Sequence, residues 1–165
     1  MRTSIVAAVI TLLFTASVPP AAHAAPPDDR VALQGVRSGK GVFDINLTAV
    51  DKFPLYLQVI KETDEGLKRQ GVKPELIVAI RGGAVRFVSS NRTDFSPDQR
   101  EDLEHADELI HELAKQGVRI EACAIATRLY HVDNASMISD VKVVGNTFIS
   151  LIGYQARGYG VIAIQ

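Results

Sequence analysis

The chain has 165 residues, of which 47% are hydrophobic, and a formal net charge of −1. That length suits one domain with a buried core. The basic residues are scattered and form neither a stripe nor a tail, which argues against binding to nucleic acid or to an anionic membrane surface.

The first residues have the layout of a secretory signal peptide. Arg2 gives a positive start, residues 5–18 are almost wholly apolar, and residues 22–24 fit the small-x-small cleavage pattern. The apolar run is too short to span a bilayer, which needs about twenty apolar residues. We therefore expect residues 1–24 to be a cleaved signal peptide. The mature protein, starting at Ala25, is then expected to be periplasmic or secreted and not inserted in a membrane.

Residues 25–39 are rich in Pro, Asp and small residues, and we expect them to form a flexible lead-in to a domain at residues 40–165. Five apolar segments of that domain predict β-strands. Residues 76–80 and 161–164 are apolar at successive positions, which is typical of strands buried on both faces. The predicted strands are residues 41–47, 75–80, 118–123, 140–144 and 159–164.

Helical patterns separate these strands. Asp51 is predicted to cap the first helix, and Gly71 to end it. Ser96 and Gln99 have the spacing of a capping box at the start of the second helix, which Gly117 ends. The other helices are predicted at residues 124–131, where a short helix or a turn is expected, and at residues 146–156.

The alternation of strands and helices predicts the fold class. Parallel strands joined by helices form a sheet that is covered on both faces. We therefore predict an α/β fold, a three-layer α/β/α domain with about five mainly parallel strands. Strand order does not follow from the pattern. In open sheets of this kind, ligand sites form outside the carboxyl ends of the strands.

Cys123 is the only cysteine in the chain, so no disulfide can form within it. It is predicted at the carboxyl end of the third strand, directly before a helical segment, where free N–H groups and the helix dipole favour a thiolate. Arg128 would add positive charge. The loop that begins with Arg81, Gly82 and Gly83 ends the second strand and should open on the same edge. Cysteine is also among the most buried residue types, and residue chemistry alone leaves both interpretations open.

The other candidate residues give neither a metal site nor a cofactor site. His105, His111 and His131 do not combine with Cys123 at a spacing that is familiar for metal ligands, although His131 is near enough in sequence to face the same pocket. The Arg-Gly-Gly-Ala-Val segment lacks the third glycine of a dinucleotide fingerprint. We therefore predict no metal and no cofactor.

Three segments resemble the DsrE/DsrF-like family. In "GVRIEACAIATR" (residues 117–128), a glycine and a strand precede a cysteine that opens a helix, with a basic residue after it. In "VVGNTFISLIGYQARGYGVIAI" (residues 143–164), a glycine follows the fourth strand and Q-x-x-G-Y precedes the last. Residues 42–60 are similar to the first strand and helix of the family. The resemblance extends over about residues 41–164.

The resemblance implies a flavodoxin-like α/β domain that assembles as a trimer or a hexamer. In sulfur-relay members of the family, a cysteine that matches Cys123 carries a persulfide. We therefore expect a sulfurtransferase-like sulfur carrier without a cofactor. Cys123 would be its catalytic residue, and Arg81, Gly82, Gly83 and Arg128 would shape the pocket.

The expected export would distinguish this chain from the best understood members of the family it resembles, which are cytoplasmic parts of multi-subunit relays. An exported protein would need a different sulfur donor and a different acceptor, and the sequence identifies neither. The alternative is a non-catalytic α/β module that binds a small ligand or a partner and buries Cys123 as a structural residue.

Overall fold

The computed structural model describes residues 27–165. The signal peptide expected at residues 1–24 and the mature start expected at Ala25 lie outside this range. Within it, none of the helices has both the length and the apolar character that are needed to cross a bilayer.

Strands and helices alternate along the described residues. The strands are β1 (Ser38–Ile45), β2 (Lys73–Ile80), β3 (Arg119–Cys123), β4 (Val141–Val144) and β5 (Gly160–Ile164). The α-helices are α1 (Lys52–Arg69), α2 (Pro97–Lys115), α3 (Ala124–Leu129) and α4 (Thr147–Ala156). Short 3₁₀ helices form at Gly82–Val88 and Asn134–Ser136.

The strands form one parallel sheet in the order β4-β3-β2-β1-β5. The predicted α/β fold with a parallel sheet is therefore confirmed. The order differs from the 2-1-3-4-5 order of flavodoxin. The register places Asp44, Ala79 and Glu121 in one row across β1, β2 and β3, so these side chains share a face of the sheet.

Helices cover the two faces of the sheet unequally. The crossovers from β1 to β2 and from β2 to β3 run in the same direction, and right-handed crossovers then place α1 and α2 on the same face. The larger core lies there and includes Phe53, Leu103 and Ile110. The chain returns from β4 to β5 in the opposite direction, which places α4 on the other face. There Tyr154 packs in a smaller cluster with Ile77.

Most of the predicted helix ends are confirmed. The N–H of Gln99 donates to Ser96 Oγ at 3.3 Å, and the N–H of Ser96 donates to Gln99 Oε1 at 3.1 Å, which completes the capping box. Gly71 and Gly117 follow their helices with φ values of 78° and 91°. The prediction for Asp51 is wrong. Its backbone is already helical (φ −57°, ψ −25°) and its side chain makes no capping hydrogen bond, whereas a capping residue needs an extended backbone.

Three segments differ from the expectation. β1 begins at Ser38, inside the segment that was expected to be a flexible lead-in. The segment after β2, expected as a loop, forms the 3₁₀ helix Gly82–Val88. β5 was expected to be buried on both faces, and this is wrong, because Val161 and Ile162 are 37% and 47% exposed. β5 is an edge strand that pairs only with β1, so its apolar sequence does not come from burial within this chain.

Candidate functional site

Cys123 lies at the end of β3, beside β4, and the helices that follow these two strands pack on opposite faces of the sheet. It is the last residue of β3, and the α3 helix that follows packs into the larger core through Ala126. In the register of β3 and β4, Val144 lies beside Cys123, but β4 is followed by α4 on the opposite face. The carboxyl ends of β3 and β4 therefore border a crevice of the kind in which open α/β sheets bind ligands.

The loop after β4 brings Thr147 to the sulfur of Cys123. Asn146 is extended (φ −156°, ψ 116°), and its Oδ1 accepts a hydrogen bond from the N–H of Phe148 at 2.9 Å. Asn146 is therefore the N-cap of α4. Thr147 is the first helical residue, and its N–H has no partner inside the helix. That N–H and the Thr147 hydroxyl lie close enough to the thiol to act on its pKa.

The surroundings of Cys123 favour its thiolate. Only 5% of the residue is exposed, and this burial acts to raise the pKa of the thiol. Donation from the backbone N–H and the hydroxyl of Thr147, and then from the N–H groups of Ala126 and Ile125, acts to lower it. The donors outweigh the burial, so the pKa of the Cys123 thiol lies below its ordinary value.

The Thr147 hydroxyl is buried beside the thiol. Thr147 is 1% exposed, and its Oγ1 forms no hydrogen bond of standard geometry within residues 27–165. Leaving a buried polar group unpaired costs about 1–3 kcal/mol. Because the hydroxyl proton can rotate, the sulfur of Cys123, or an atom bound to it, is the acceptor that this position offers.

Arg81, the residue after β2, places a guanidinium group at the same edge of the sheet. Its Nε and Nη2 donate to the carboxylate of Asp44 at 2.7 and 2.9 Å. These hydrogen bonds are the main reason that the pKa of Arg81 is raised, and the charge of Cys123 contributes less. The guanidinium carbon also lies 5.4 Å from the centre of the Phe148 ring. The positive charge near the thiol is thus neutralised by a buried carboxylate.

A cavity of about 240 Å³ opens beside the sulfur. Gly82 in its wall has a φ of 57°, and the Asn46 side chain occupies the space where a Cβ at position 82 would lie, so only glycine fits. The mouth is bordered by Leu129 and Phe148, which are 67% and 57% exposed. The lining residues are Arg81, Gly82, Cys123, Ile125, Ala126, Leu129, Tyr130, Asn146, Thr147 and Phe148.

The structure brings together some of the site residues expected from the sequence. Arg81, Gly82 and Cys123 line the same cavity. Gly83 follows Gly82 in the 3₁₀ helix but is not part of the lining. Arg128 is exposed and also lies outside the lining, because the last turn of α3 carries it on the solvent side.

Sequence reasoning missed Asp44, Thr147 and Phe148. The signal for Thr147 was present, since an Asn-Thr pair one residue after a strand has the form of a helix cap near a strand end. Asp44 lies inside β1, and its role depends on β1 and β2 being neighbours. Without strand order, nothing in the sequence pairs it with Arg81.

The three histidines within residues 27–165 lie elsewhere. His105 and His111 are on the exposed side of α2, with Nδ1 at 3.7 Å from Glu108 and 3.1 Å from Asp140 respectively. His131 has a left-handed φ of 55° and lines a separate polar cleft. Among residues 27–165, no three His, Cys, Asp or Glu side chains lie close enough together to hold a metal ion.

Residues 39–164 match the model of the DsrE/DsrF-like family. The chain belongs to the DsrE/DsrF-like family. The match extends over nearly the whole sheet, from β1 to β5, and includes Cys123, Thr147 and the segment after β2. Membership in the DsrE/DsrF-like family suggests a role in sulfur relay in general.

A protein of another organism is similar in sequence. An uncharacterized protein of Aquifex aeolicus (strain VF5) is 26% identical over 124 residues, which are 74% of this chain and 55% of that protein. This chain therefore spans about half the length of that relative.

Two solved structures share the fold. The protein of unknown function MTH1491 from Methanobacterium thermoautotrophicum gives a TM-score of 0.62 at 19% identity, over 77% of this chain and 100% of that one. The YchN protein from E. coli gives a TM-score of 0.54 at 15% identity, over 76% of this chain and 99% of that one. At these identities the likeness establishes the fold.

Proposed function

We propose that this DsrE/DsrF-like protein is an exported carrier of sulfane sulfur, which it holds as a persulfide on Cys123 in the periplasm or outside the cell. The observation that carries the proposal is the thiol at the β3–β4 crevice, whose pKa is lowered by donors from Thr147 and α3. A structural cysteine needs no such donors, whereas a nucleophile must form the thiolate. The signal-like layout of residues 1–24 supports export.

The chemistry needs two thiolate attacks. In the loading step, the Cys123 thiolate attacks the outer sulfur of a donor R–S–SH, a bond forms between that sulfur and Sγ, the donor's S–S bond breaks, and R–S⁻ leaves. In the release step, an acceptor thiolate attacks the outer sulfur of the persulfide, and the Cys123 thiolate returns. The acceptor thiol can belong to another molecule, which suits a chain with a single cysteine.

The cavity has room for the persulfide. An S–S bond places the outer sulfur about 2.0 Å beyond Sγ. At about 30 Å³ for each water molecule, a cavity of about 240 Å³ holds on the order of eight water volumes. The outer sulfur therefore fits inside, together with a small donor or the end of an acceptor that enters between Leu129 and Phe148.

We also infer a homo-oligomer, a trimer or a hexamer, in which α4 packs on a neighbouring copy. Phe148, Ile149 and Ile152 of α4 are exposed, and so is Val161 of the edge strand β5, which shares its face of the sheet with α4. Single exposed apolar residues are common, but a group of them on neighbouring elements is typical of an interaction surface.

The low exposure of Cys123 favours a second candidate function. In it, the chain is a non-catalytic module that binds a small ligand or a partner, and Cys123 is a structural residue. The two candidates differ in thiol chemistry. A structural thiol that is 5% exposed would react slowly in the native protein and would retain no sulfur, whereas a carrier must accept sulfur without unfolding.

Intact-mass spectrometry after exposure of the native protein to inorganic polysulfide tests the proposal. The expected result is a gain of one sulfur atom on the peptide that contains Cys123. Cys123→Ser, which is close in size, is expected to gain none and to keep the circular dichroism of the wild type. The second candidate replaces the first if the native chain gains no sulfur from polysulfide, persulfide or thiosulfonate donors and iodoacetamide modifies it only after unfolding.

A further inference from the structure

The cavity beside Cys123 indicates which class of donor fits it, an inference that rests on the carrier function proposed above. We propose that the site takes sulfur from small donors that combine an apolar substituent with at most one negative charge, such as alkyl thiosulfonates and short alkyl persulfides. Thiosulfate, a small dianion without an apolar part, is then a poor donor.

The cavity offers no net positive charge to a dianion. Among the lining residues, Arg81 is the only cation, and Asp44 binds its Nε and Nη2. The guanidinium carbon lies over the Phe148 ring at 5.4 Å, and the N–H groups that Asp44 leaves free are the two of Nη1 and one of Nη2. Arg128, the other cation expected at the site, is exposed and outside the lining. Because the charges of Arg81 and Asp44 cancel, the net charge at the reacting centre is the negative charge of the attacking Cys123 thiolate.

The wall favours an apolar substituent. Ile125, Ala126, Leu129, Tyr130 and Phe148 make up much of the lining. An alkyl group gains free energy when such side chains remove it from water. An oxyanion in the same place loses its hydration and receives few hydrogen bonds in exchange. The apolar wall therefore favours donors that carry an alkyl group and disfavours thiosulfate, which has none.

The polar contacts are concentrated at one point. Thr147 lines the cavity, is 1% exposed, and carries a buried Oγ1 without a hydrogen bond of standard geometry in the described chain. One hydroxyl proton can meet one anionic sulfur. It cannot also satisfy the several oxygens of a sulfonate group. The other polar side chains of the lining, apart from Arg81, are Asn146, whose Oδ1 caps α4, and Tyr130.

Methanethiosulfonate anion and thiosulfate are matched probes for this difference, because both deliver the same atom. In each case the Cys123 thiolate attacks the terminal sulfur, the Sγ–S bond forms, and the bond from that sulfur to the oxidised sulfur breaks. The electron pair of that bond leaves with methanesulfinate in one case and with sulfite in the other, and the product on Cys123 is the same persulfide. The donors differ by a methyl group in place of an anionic oxygen.

The experiment measures the rate of persulfide formation on the native protein with each donor by intact-mass spectrometry, at one pH and one ionic strength. Each rate is divided by the rate of the same donor with N-acetylcysteine, which removes intrinsic reactivity. The expected normalised ratio favours methanethiosulfonate by about tenfold or more, and tenfold corresponds to about 1.4 kcal/mol. Asp44→Asn releases the charge of Arg81 and is expected to reduce the ratio by speeding loading from thiosulfate. Asp140→Asn, at the amino end of β4 and outside the lining, should leave the ratio unchanged.

A normalised ratio near one, or a preference for thiosulfate, overturns the inference and leaves the carrier function standing, since both donors then load Cys123. If neither donor loads the native protein but inorganic polysulfide does, this inference fails and the carrier function stands; if polysulfide fails as well, both fail. The wild-type ratio decides the question if Asp44→Asn does not fold.

Discussion

Replacing Thr147 by valine isolates one contact of the Cys123 thiol. Valine has nearly the same shape and keeps the backbone N–H, so only the hydroxyl is lost. A hydrogen bond to a charged group is worth about 1.5–3 kcal/mol, and we take the lower end because the Thr147 hydroxyl forms no bond of standard geometry. A factor of ten corresponds to about 1.4 kcal/mol. At pH values below the pKa of the thiol, the fraction of Cys123 present as thiolate should therefore fall about tenfold.

The assay is the rate of alkylation of native Cys123 by iodoacetamide as a function of pH. The pKa of the thiol is lowered in the folded protein, so the wild type should remain reactive at pH values where an ordinary cysteine is protonated. In Thr147→Val, the whole profile should move toward higher pH. The urea midpoint should stay the same or rise, because the change removes a buried hydroxyl without a standard partner.

Thr127→Val is the matched control. Thr127 is also 1% exposed, but its hydroxyl is bonded to Ala124 O at 3.0 Å and to Asn134 Oδ1 at 2.6 Å, and not to the thiol. This variant should lose stability and keep the wild-type alkylation profile. If Thr147→Val also keeps the wild-type alkylation profile, the Thr147 hydroxyl does not stabilise the Cys123 thiolate.

The remaining predictions concern stability and assembly. Burial and the hydrogen bond to Glu121, at 2.6 Å, raise the pKa of Tyr154 to about 12, so the hydroxyl donates at all ordinary pH values. Tyr154→Phe should therefore lower the free energy of unfolding in urea by about 1–3 kcal/mol, and an unchanged midpoint would mean that this bond contributes nothing. Gly82→Ala forces a side chain into a left-handed backbone, which costs about 1–2 kcal/mol before any clash, and it should be less stable than Gly83→Ala. Ile152→Asp on the exposed side of α4 should reduce the mass measured by light scattering to that of a monomer. If Ile152→Asp keeps the wild-type mass, α4 is not part of the interface between copies.

The elements of the fold were predictable because each is encoded locally. The capping box at Ser96, the glycines that end α1 and α2, and the apolar segments all act over a few residues. The position of Cys123 at a strand end followed in the same way, from an apolar strand and the helical pattern after it.

The contacts of the site were less predictable because they depend on strand order. Arg81 meets Asp44 only since β1 and β2 are neighbours, and Thr147 meets Cys123 only since β4 lies beside β3. The exposure of β5 has the same origin, because an apolar strand has the same sequence at the edge of a sheet as at its centre. Arg128, chosen for its nearness in sequence, lies outside the cavity.

One round of loading and release measured on the native protein tests the central claim most directly. The protein is exposed to a sulfane donor, freed of excess reagent, weighed by mass spectrometry, and then given a small acceptor thiol. If Cys123 carries sulfane sulfur, the donor raises the mass of the protein by one sulfur atom. The acceptor thiol then returns the mass to its starting value and leaves sulfide or a new persulfide in solution. No gain in mass, or a gained sulfur that the acceptor cannot remove, would contradict a carrier function for this DsrE/DsrF-like protein.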